Sequence, residues 1–397
     1  MEKFLGKVFE GSISIANKGF GFVTIDEIER DIFVELSDMK DALNQDTVKV
    51  KIISESENDR LQGRILTVTK RGITEIIGTF ARTRRGRHVI PDENRFNAYI
   101  KISFENSMNA TVDDKVKVEI IDYLEKGIVA GKITSILGNK DKPGVDILAM
   151  CFKHNVEVDF TPATLEEAAN VPDVVAEAEW KNRRDLRNEY IYTIDGADAK
   201  DLDDAVGVKK LANNRYELTV SIADVTHYIK EGTALDNDAL SRGTSVYLTD
   251  RVVPMIPKNL SNGICSLNPK VERLTLTCRM EIDDRGKVVH YEIFESVIKT
   301  KHRMTYSDVT AILNGDAELR ADYHDSVSNF ELMLEIAEKL KARREDRGSI
   351  EFDVKEAKIL VDDEVRLLIL SIVSVKYQKK LLKNSCYLPM KPLHNIS

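Results

Sequence analysis

The segment DTVKVKII at residues 46–53 recurs as DKVKVEII at residues 114–121, and this repeat decides how the first third of the chain folds. A second pair of segments, GRI and GKI, is also separated by 68 residues. Valine and isoleucine alternate with lysine in the first copy, which is the period of a strand with one buried face. A repeat of this length is a small domain. We therefore predict two five-stranded β-barrels, the first barrel at residues 1–70 and the second barrel at residues 71–140.

The first barrel contains the aromatic stretch KGFGFVTIDEIERDIFV. Phe20 and Phe22 are two positions apart, so on a strand they project from the same face. These rings and Phe33 either fill the barrel core or form an outward platform on which unpaired bases stack, with Lys18 beside it. The segments GFGFV and DIFV resemble the cold-shock type of OB-fold, which implies that both barrels are OB-folds.

The second barrel lacks this aromatic pattern and carries the basic run RTRRGRH at residues 82–88. The net charge of the chain is −8, which does not by itself indicate a nucleic-acid-binding protein. A local patch matters more than the total charge for attracting a polyanion. If the second barrel binds nucleic acid, we expect it to do so mainly through charge.

The bulk composition is that of an ordinary globular protein, with 42% hydrophobic and 31% charged residues. The amino-terminal residues become charged at once and do not resemble a signal peptide. The apolar run Leu367–Val375 is too short to span a bilayer. The four cysteines form no C-x-x-C pair, which is typical of a reducing compartment. We therefore expect a cytoplasmic protein with no membrane association.

Residues 194–204 read IDGADAKDLDD and hold five aspartates with a single lysine. Two carboxylates about 4 Å apart repel by roughly 4 kcal/mol at an effective dielectric constant near 20. The spacing does not fit an EF-hand calcium loop from any of these aspartates. Two interpretations remain at this point, a solvated loop between strands and a magnesium site for phosphoryl chemistry. The spacing alone does not decide between them.

Four of these aspartates match the pattern D-x5-D-x-D-D, a signature of the ribonuclease II/ribonuclease R family, which the chain resembles over roughly residues 10–364. Four further segments follow in the order found in that family: SIADVTHYI (221–229), SVYLTDRVVPMIP (245–257), LSNGICSLNP (260–269) and RGSIEFD (347–353). The resemblance implies a multidomain protein, with the two OB-folds followed by part of an α+β catalytic domain of the RNB type.

The resemblance also implies an activity and a site. Family members are 3′→5′ exoribonucleases that release nucleoside 5′-monophosphates. By resemblance, Asp195, Asp201, Asp203 and Asp204 would bind Mg²⁺, or alternatively Mn²⁺, with Asp203 most critical for the chemistry. Asp198 lies outside the signature, so we expect it at the surface.

The RNA partner implied by the resemblance is single-stranded RNA or RNA with a 3′ overhang. Tyr247 and Phe352 fall where the family clamps the 3′-terminal base between two rings. A face-on ring suits this role because stacking tolerates any base. The alternative for each of these two residues is plain core packing. We expect the protein to act as a monomer.

The sequence predicts a connector at residues 141–189, the catalytic part at 190–364 and a divergent tail at 365–397. The tail contains no Asp or Glu, although acidic residues are frequent before it. We hypothesise an interrupted reading frame near residue 364, which would remove the distal catalytic part and a last barrel and could leave the chain inactive. The alternative is a genuine short variant with a basic tail. The alternative function is a noncatalytic single-stranded RNA-binding protein that acts through its OB-folds.

Overall fold

The structure is a computed structural model. It describes residues 4–16, 19–55, 60–96, 98–125, 127–350, 355–362 and 367–374. Two of the predicted site residues, Lys18 and Phe352, lie outside the described residues. The described residues form two compact units. The first unit comprises residues up to 158 together with 361–362, and the second unit comprises the others from residue 159 onward.

The first barrel is a closed five-stranded barrel in the order β1-β2-β3-β5-β4. Its strands are β1 (Val8–Ile15), β2 (Gly21–Ile25), β3 (Ile28–Val34), β4 (Thr47–Glu55) and β5 (Leu61–Lys70). Strand β1 closes the barrel because it pairs antiparallel with both β2 and β4. Alternate residues of the repeat segment, such as Val48, Val50 and Ile52, are buried inside, as the period of two predicts.

The second barrel is closed as well, in the order β10-β8-β7-β6-β9. Its strands are β6 (Glu75–Thr83), β7 (Gly86–Pro91), β8 (Tyr99–Ile102), β9 (Asp114–Glu125) and β10 (Ile128–Asn139). Val116 and Val118 of the second repeat copy are buried like their counterparts in the first. Each barrel has its own hydrophobic core. The prediction of two five-stranded barrels is confirmed.

Short helices make up most of the chain segment that follows the second barrel in sequence and precedes the large sheet. They are α1 (Val145–Lys153), α2 (Pro162–Ala169) and α3 (Glu177–Trp180), followed by strand β11 (Arg184–Asp185). Helix α2 begins where Thr161 caps the amide of Thr164, with a proline at its first position. Strand β11 pairs in parallel with the sheet of the second unit, so the last part of the predicted connector already belongs to that sheet.

The second unit is built on a mixed seven-stranded sheet in the order β11-β18-β17-β14-β13-β12-β19. Its other strands are β12 (Ile191–Asp195), β13 (Asp204–Lys210), β14 (Tyr216–Ala223), β17 (Glu272–Ile282), β18 (Val288–Lys299) and β19 (His302–Thr305). Two two-stranded sheets accompany it: β15 (Val246–Tyr247) with β16 (Val252–Val253), and β20 (Lys355–Val361) with β21 (Leu367–Ser374).

Helices cover one face of the seven-stranded sheet. The helices of the second unit after β12 are α4 (Val225–Tyr228), α5 (Ala234–Arg242), α6 (Tyr306–Leu313), α7 (Ala317–Asp322) and α8 (Val327–Asp346). The helical spacing of apolar residues in SVSNFELMLEIAEKLKARREDRG predicts one apolar face for α8. This prediction is confirmed, since all five residues of that face are buried: Phe330, Met333, Ile336, Ala337 and Leu340. Most of them pack against strand residues such as Val208, Leu218 and Met280. The fold of the second unit is thus α+β, as predicted.

Two local predictions have different outcomes. The run AVGVKKLANNRYELTVSIADV predicts a hairpin that turns at Asn213–Asn214. This prediction is confirmed, because both residues have the positive φ angles, 58° and 55°, that a tight turn between β13 and β14 requires. The stretch TYSDVTAILNG predicts a short helix with Ser307 as its N-cap, and the position of this cap is wrong. Helix α6 begins at Tyr306, and the Thr305 hydroxyl accepts the hydrogen bond from the amide of Asp308. Within the described residues, none of the helices combines the length and apolar character that a membrane span requires.

Candidate functional site

The predicted catalytic aspartates lie at the ends of two adjacent strands of the sheet. Strand β12 ends at Asp195 and strand β13 begins at Asp204. These strands pair only at Ile191 with Gly207 and at Tyr192 with Val206. Beyond that pairing the strands are joined by residues 196–203, which we call the aspartate loop. The sheet therefore holds two of the aspartates, and the loop carries the other two.

Leu202 anchors the aspartate loop in the core of the second unit. Its side chain is 1% exposed and belongs to a hydrophobic cluster with Leu186, Ala205, Ala223, Leu267 and others. Its main-chain groups are also bound: the amide donates to Ser266 Oγ at 3.1 Å, and the carbonyl accepts from Leu267 N at 2.8 Å. Because Leu202 points inward, its two neighbours Asp201 and Asp203 remain exposed.

The carboxyl groups of the site interact electrostatically. The pKa of Asp195 is raised to about 6, first by burial and then by the negative charges of Asp204 and Asp203, while Arg303 acts in the opposite direction. The pKa of Asp203 is raised too: the residue as a whole is exposed, but its carboxyl group is desolvated, and the negative charges of Asp204 and Asp201 add to the rise. The four signature aspartates therefore share one site, and a cation among them would relieve their repulsion.

Arg303 is the positive group at the edge of this site. Its Nη2 donates to the carbonyl of Ala197 at 3.0 Å and to the carbonyl of Ala199 at 2.7 Å. The guanidinium thus fastens the start of the aspartate loop to strand β19. Sequence reasoning missed Arg303, which falls outside every motif used for the prediction.

The donor set fits a hard divalent cation. Oδ2 of Asp195 is buried and has no hydrogen-bond partner among the described residues. A buried carboxylate oxygen without a donor is costly unless a cation or water completes it. Carboxylate oxygens are the ligands that Mg²⁺ prefers, with waters and phosphate oxygens completing the shell. The described residues nevertheless contain no group of three or more His, Cys, Asp or Glu side chains already arranged to hold a metal ion. The metal assignment therefore stays a proposal.

Tyr247 reaches the same site from strand β15. Its hydroxyl donates to Asp201 Oδ2 at 3.0 Å, while the residue is 68% exposed. The structure therefore excludes core packing for Tyr247 and places its ring at the rim of the aspartate site. Asp198 is exposed on the aspartate loop, as predicted for a surface residue. The partner ring predicted for Tyr247, Phe352, is outside the described residues.

The three predicted phenylalanines of the first barrel form one cluster. Their ring centroids lie 5.6–5.8 Å apart, with the rings of Phe20 and Phe22 perpendicular. Phe22 and Phe33 are direct cross-strand neighbours on β2 and β3. None of the three belongs to the buried core of the barrel, and Phe22 is 39% exposed. The cluster, which we call the aromatic surface, thus lies on the outside, as a stacking platform requires.

The second barrel presents a smaller aromatic and basic surface. Arg87 lies over the ring of Phe104, 4.9 Å from its centroid, and Phe104 is 69% exposed. His88 is buried and stacks on Tyr99 at 5.0 Å, so it belongs to the barrel wall. Sequence reasoning emphasised the basic residues and missed Phe104 and Tyr99, because their stretch lacks the alternating pattern of the first barrel.

Three family models match the chain. Residues 183–386 match the RNB domain, residues 11–68 match the Ribonuclease B OB domain, and residues 88–161 match the Cold shock domain. The cold-shock match falls on the second barrel and the residues after it, whereas the sequence pattern indicated that similarity in the first. The RNB match continues past residue 364, where the sequence suggested a break, so the divergent tail and the interrupted reading frame stay hypotheses.

Known relatives match over most of the chain. Ribonuclease R 1 of Lactococcus lactis is 40% identical, over 91% of this chain and 46% of its own length. Ribonuclease R of Thermotoga maritima is 38% identical, over 89% of this chain and 50% of its own length. The solved structure of Mycoplasma genitalium RNase R in complex with ribose methylated single-stranded RNA is 25% identical, with a TM-score of 0.84, and the match covers 95% of this chain and 60% of that chain.

This chain spans about half the length of the curated relatives it matches. The RNB match over half of the chain, the two further domain matches and these relatives agree with the site geometry. The chain belongs to the RNB-domain ribonuclease family that includes bacterial ribonuclease R.

Proposed function

We propose that this chain acts as a hydrolytic exoribonuclease. Its substrate would be single-stranded RNA or RNA with a 3′ overhang, shortened from the 3′ end with release of nucleoside 5′-monophosphates. Family membership supports the proposal, as does the complex of the Mycoplasma genitalium relative with single-stranded RNA. The observation that carries it is the electrostatic interaction of Asp195 with Asp201, Asp203 and Asp204, together with an Asp195 Oδ2 that has no hydrogen-bond partner among the described residues.

The residues of the site divide into two groups by position. Asp195 and Asp204 are half-buried at the strand ends, so they would form the inner side of a Mg²⁺ or Mn²⁺ site. Asp201 and Asp203 are exposed and would face the substrate. A bound divalent ion would supply Lewis-acid stabilisation of charge on the scissile phosphate. Tyr247, whose exposed ring lies at the rim, would orient the terminal nucleotide by stacking.

A second candidate function rests on the aromatic surface. The first barrel has its own core and carries three outward rings, so it could bind unpaired bases whether or not the aspartate site is active. In this case the chain would be a noncatalytic RNA-binding protein. The two candidates differ in one observable, the shortening of a bound RNA.

A single-stranded RNA labelled at its 5′ end separates the two candidates. The exoribonuclease predicts Mg²⁺-dependent ladders that shorten from the 3′ end, with nucleoside 5′-monophosphates as products and no cleavage in EDTA. Asp203→Asn should abolish the ladder, whereas Asp198→Asn, a matched change at an exposed aspartate of the same loop, should leave it intact. A mobility shift with no shortening in any Mg²⁺ or Mn²⁺ concentration would favour the noncatalytic candidate.

A further inference from the structure

We propose that Ser266 is a positioning residue for the aspartate site, a role that rests on the proposed function. Ser266 lies in the segment that follows a short helical turn at Leu260–Ile264, far along the chain from the aspartates. It belongs to the segment LSNGICSLNP, but that segment does not show which groups the Ser266 hydroxyl contacts. Its hydroxyl acts on the backbone of the aspartate loop.

The Ser266 hydroxyl bridges the two peptide groups on either side of Asp201. Oγ donates to the carbonyl of Lys200 at 2.8 Å and accepts from the amide of Leu202 at 3.1 Å. That carbonyl belongs to the peptide bond before Asp201, and that amide belongs to the peptide bond after it. Because each peptide group is planar, one hydroxyl therefore restrains the φ and ψ angles of Asp201 together, and with them the direction of its Cα–Cβ bond.

Ser266 is itself held rigidly. The residue is 1% exposed, and its carbonyl accepts from Nε of Arg273 at 2.8 Å. Arg273 is also buried and donates to the carbonyl of Gly263 at 3.2 Å. The next residue, Leu267, donates its amide to the carbonyl of Leu202. A buried arginine thus supports the serine, and the serine supports the loop.

The side chain of Asp201 points toward Tyr247 at the rim of the aspartate site. Asp201 is exposed, and its Oδ2 accepts the hydrogen bond of Tyr247. Ser266 contacts neither this carboxylate nor the rim, so any effect on chemistry must pass through the placement of Asp201. Groups that orient metal ligands in this way change metal affinity or activity by 10- to 100-fold when they are removed.

If Ser266 only stabilised the fold, its removal would affect Mn²⁺ binding no more than the removal of another buried hydroxyl. Ser296 is the matched control for this comparison. Ser296 is fully buried in strand β18, and its hydroxyl bonds to Thr275 and Thr277 at 2.7 and 2.6 Å. Ser296→Ala removes a buried hydroxyl from the seven-stranded sheet of the second unit, and its partners Thr275 and Thr277 lie outside the aspartate loop. Both alanine variants should lower stability, because each leaves buried polar groups without partners.

The test compares the full chain with Ser266→Ala, Ser266→Thr and Ser296→Ala. Mn²⁺ affinity is measured by calorimetry without RNA, RNA affinity by mobility shift in EDTA, and cleavage by kcat and KM. We expect Ser266→Ala to weaken Mn²⁺ binding and lower kcat, each by about 10- to 100-fold, with unchanged RNA affinity and KM. Ser266→Thr, which keeps the hydroxyl, should retain most of the Mn²⁺ affinity and most of kcat. Ser296→Ala should bind Mn²⁺ with the affinity of the parent.

Two results would overturn the inference: parental Mn²⁺ affinity in a folded Ser266→Ala chain, or an equal loss in Ser296→Ala. If Ser266→Ala does not fold, Ser266→Cys replaces it, since the thiol is only a weak donor and acceptor, and parental Mn²⁺ affinity in that variant would overturn the inference too. If the parent binds Mn²⁺ but cleaves no RNA, the proposed function fails, while the Mn²⁺ comparison still decides the role of Ser266. If the parent binds no Mn²⁺, both the proposed function and the role of Ser266 are refuted.

Discussion

The aromatic surface of the first barrel and the aspartate site of the second unit are built in opposite ways. The rings of Phe22 and Phe33 come from neighbouring strands and face each other across one ladder. The aspartate loop depends on partners far along the chain: Ser266 is 64 residues from Leu202, and Arg303 is 104 residues from Ala199. A surface made by local pairing tolerates damage elsewhere, whereas a site made by long-range contacts does not.

The largest expected effect is the loss of stability when the ion pair between the connector and the second unit is broken. Arg183 and Asp224 bond at 2.6 Å, and their side chains are 6% and 12% exposed. Asp224→Ala removes the carboxylate that hydrogen-bonds to this buried guanidinium and leaves it the longer contact with Glu295 at 3.7 Å, so we expect a loss of about 4 kcal/mol in the free energy of unfolding of the second unit. Urea titration followed by the single tryptophan, Trp180 in α3, measures it.

The same pair predicts a pH dependence. Burial alone would raise the pKa of Asp224, but the hydrogen bonds from Arg183 and Thr226 outweigh burial and lower it. The contribution of Asp224 is therefore fully present above about pH 4 and is lost as the pH falls through its lowered value. The exposed pair of Asp185 with Arg187 is the control, since Asp185→Ala should cost less than about 1 kcal/mol. Equal losses from both substitutions would contradict the prediction.

Leu202→Ala tests whether the aspartate site depends on the core beneath it. We expect a loss of about 3 kcal/mol in the stability of the second unit, because a fully buried leucine is truncated. Mn²⁺ affinity should fall with it, since the neighbouring aspartates lose their anchor. Leu240→Ala removes a leucine that is 79% exposed on α5 and should change neither quantity. Unchanged Mn²⁺ affinity in Leu202→Ala would show that the loop holds its shape without the anchor.

The double substitution Phe20→Ala and Phe22→Ala tests the aromatic surface of the first barrel. We expect RNA affinity to fall by about 2 kcal/mol, roughly 30-fold in Kd, because base stacking is lost. The melting temperature of the first barrel should change little, since these rings lie outside its core. Ile32→Ala, a fully buried change in the same barrel, should lower that melting temperature. Parental RNA binding by the double variant would refute the platform role.

The smallest expected effect comes from Tyr247→Phe. The substitution keeps the exposed ring and removes only the hydrogen bond to Asp201. We expect Mn²⁺ affinity to change by about 1 kcal/mol, roughly fivefold, with unchanged RNA affinity. Weaker RNA binding with parental Mn²⁺ affinity would mean that the hydroxyl contacts RNA and not the aspartate site.

The sequence predicted what depends on neighbours in the chain. Alternating apolar residues located both barrels, and the Asn213–Asn214 pair located a hairpin, because strands and tight turns are set by local backbone preferences. The prediction of Ser307 as the cap of α6 was wrong for a local reason as well, because threonine and serine both cap helices well. Strand β19 ends at Thr305, so the helix begins at Tyr306, before Ser307 could cap it.

The supports of the aspartate site could not be predicted in this way. The signature identifies the four aspartates, but Ser266 and Arg303 act on backbone groups of the aspartate loop, and a residue pattern does not show such contacts. Ser266 lies in the segment LSNGICSLNP without any sign of its partner there, and Arg303 lies outside every quoted motif. Their partners are known only once the sheet has brought distant segments together. The burial of Asp195 and the rise of its pKa likewise follow from packing and not from spacing.

The central claim is that Asp195, Asp201, Asp203 and Asp204 together hold a divalent cation. Calorimetric titration of the full chain with Mn²⁺, in the absence of RNA, tests it directly. The account predicts saturable uptake by the parent and by Asp198→Asn, and a strong loss of affinity in Asp203→Asn. No uptake by the parent, or the same affinity in Asp203→Asn, would contradict it.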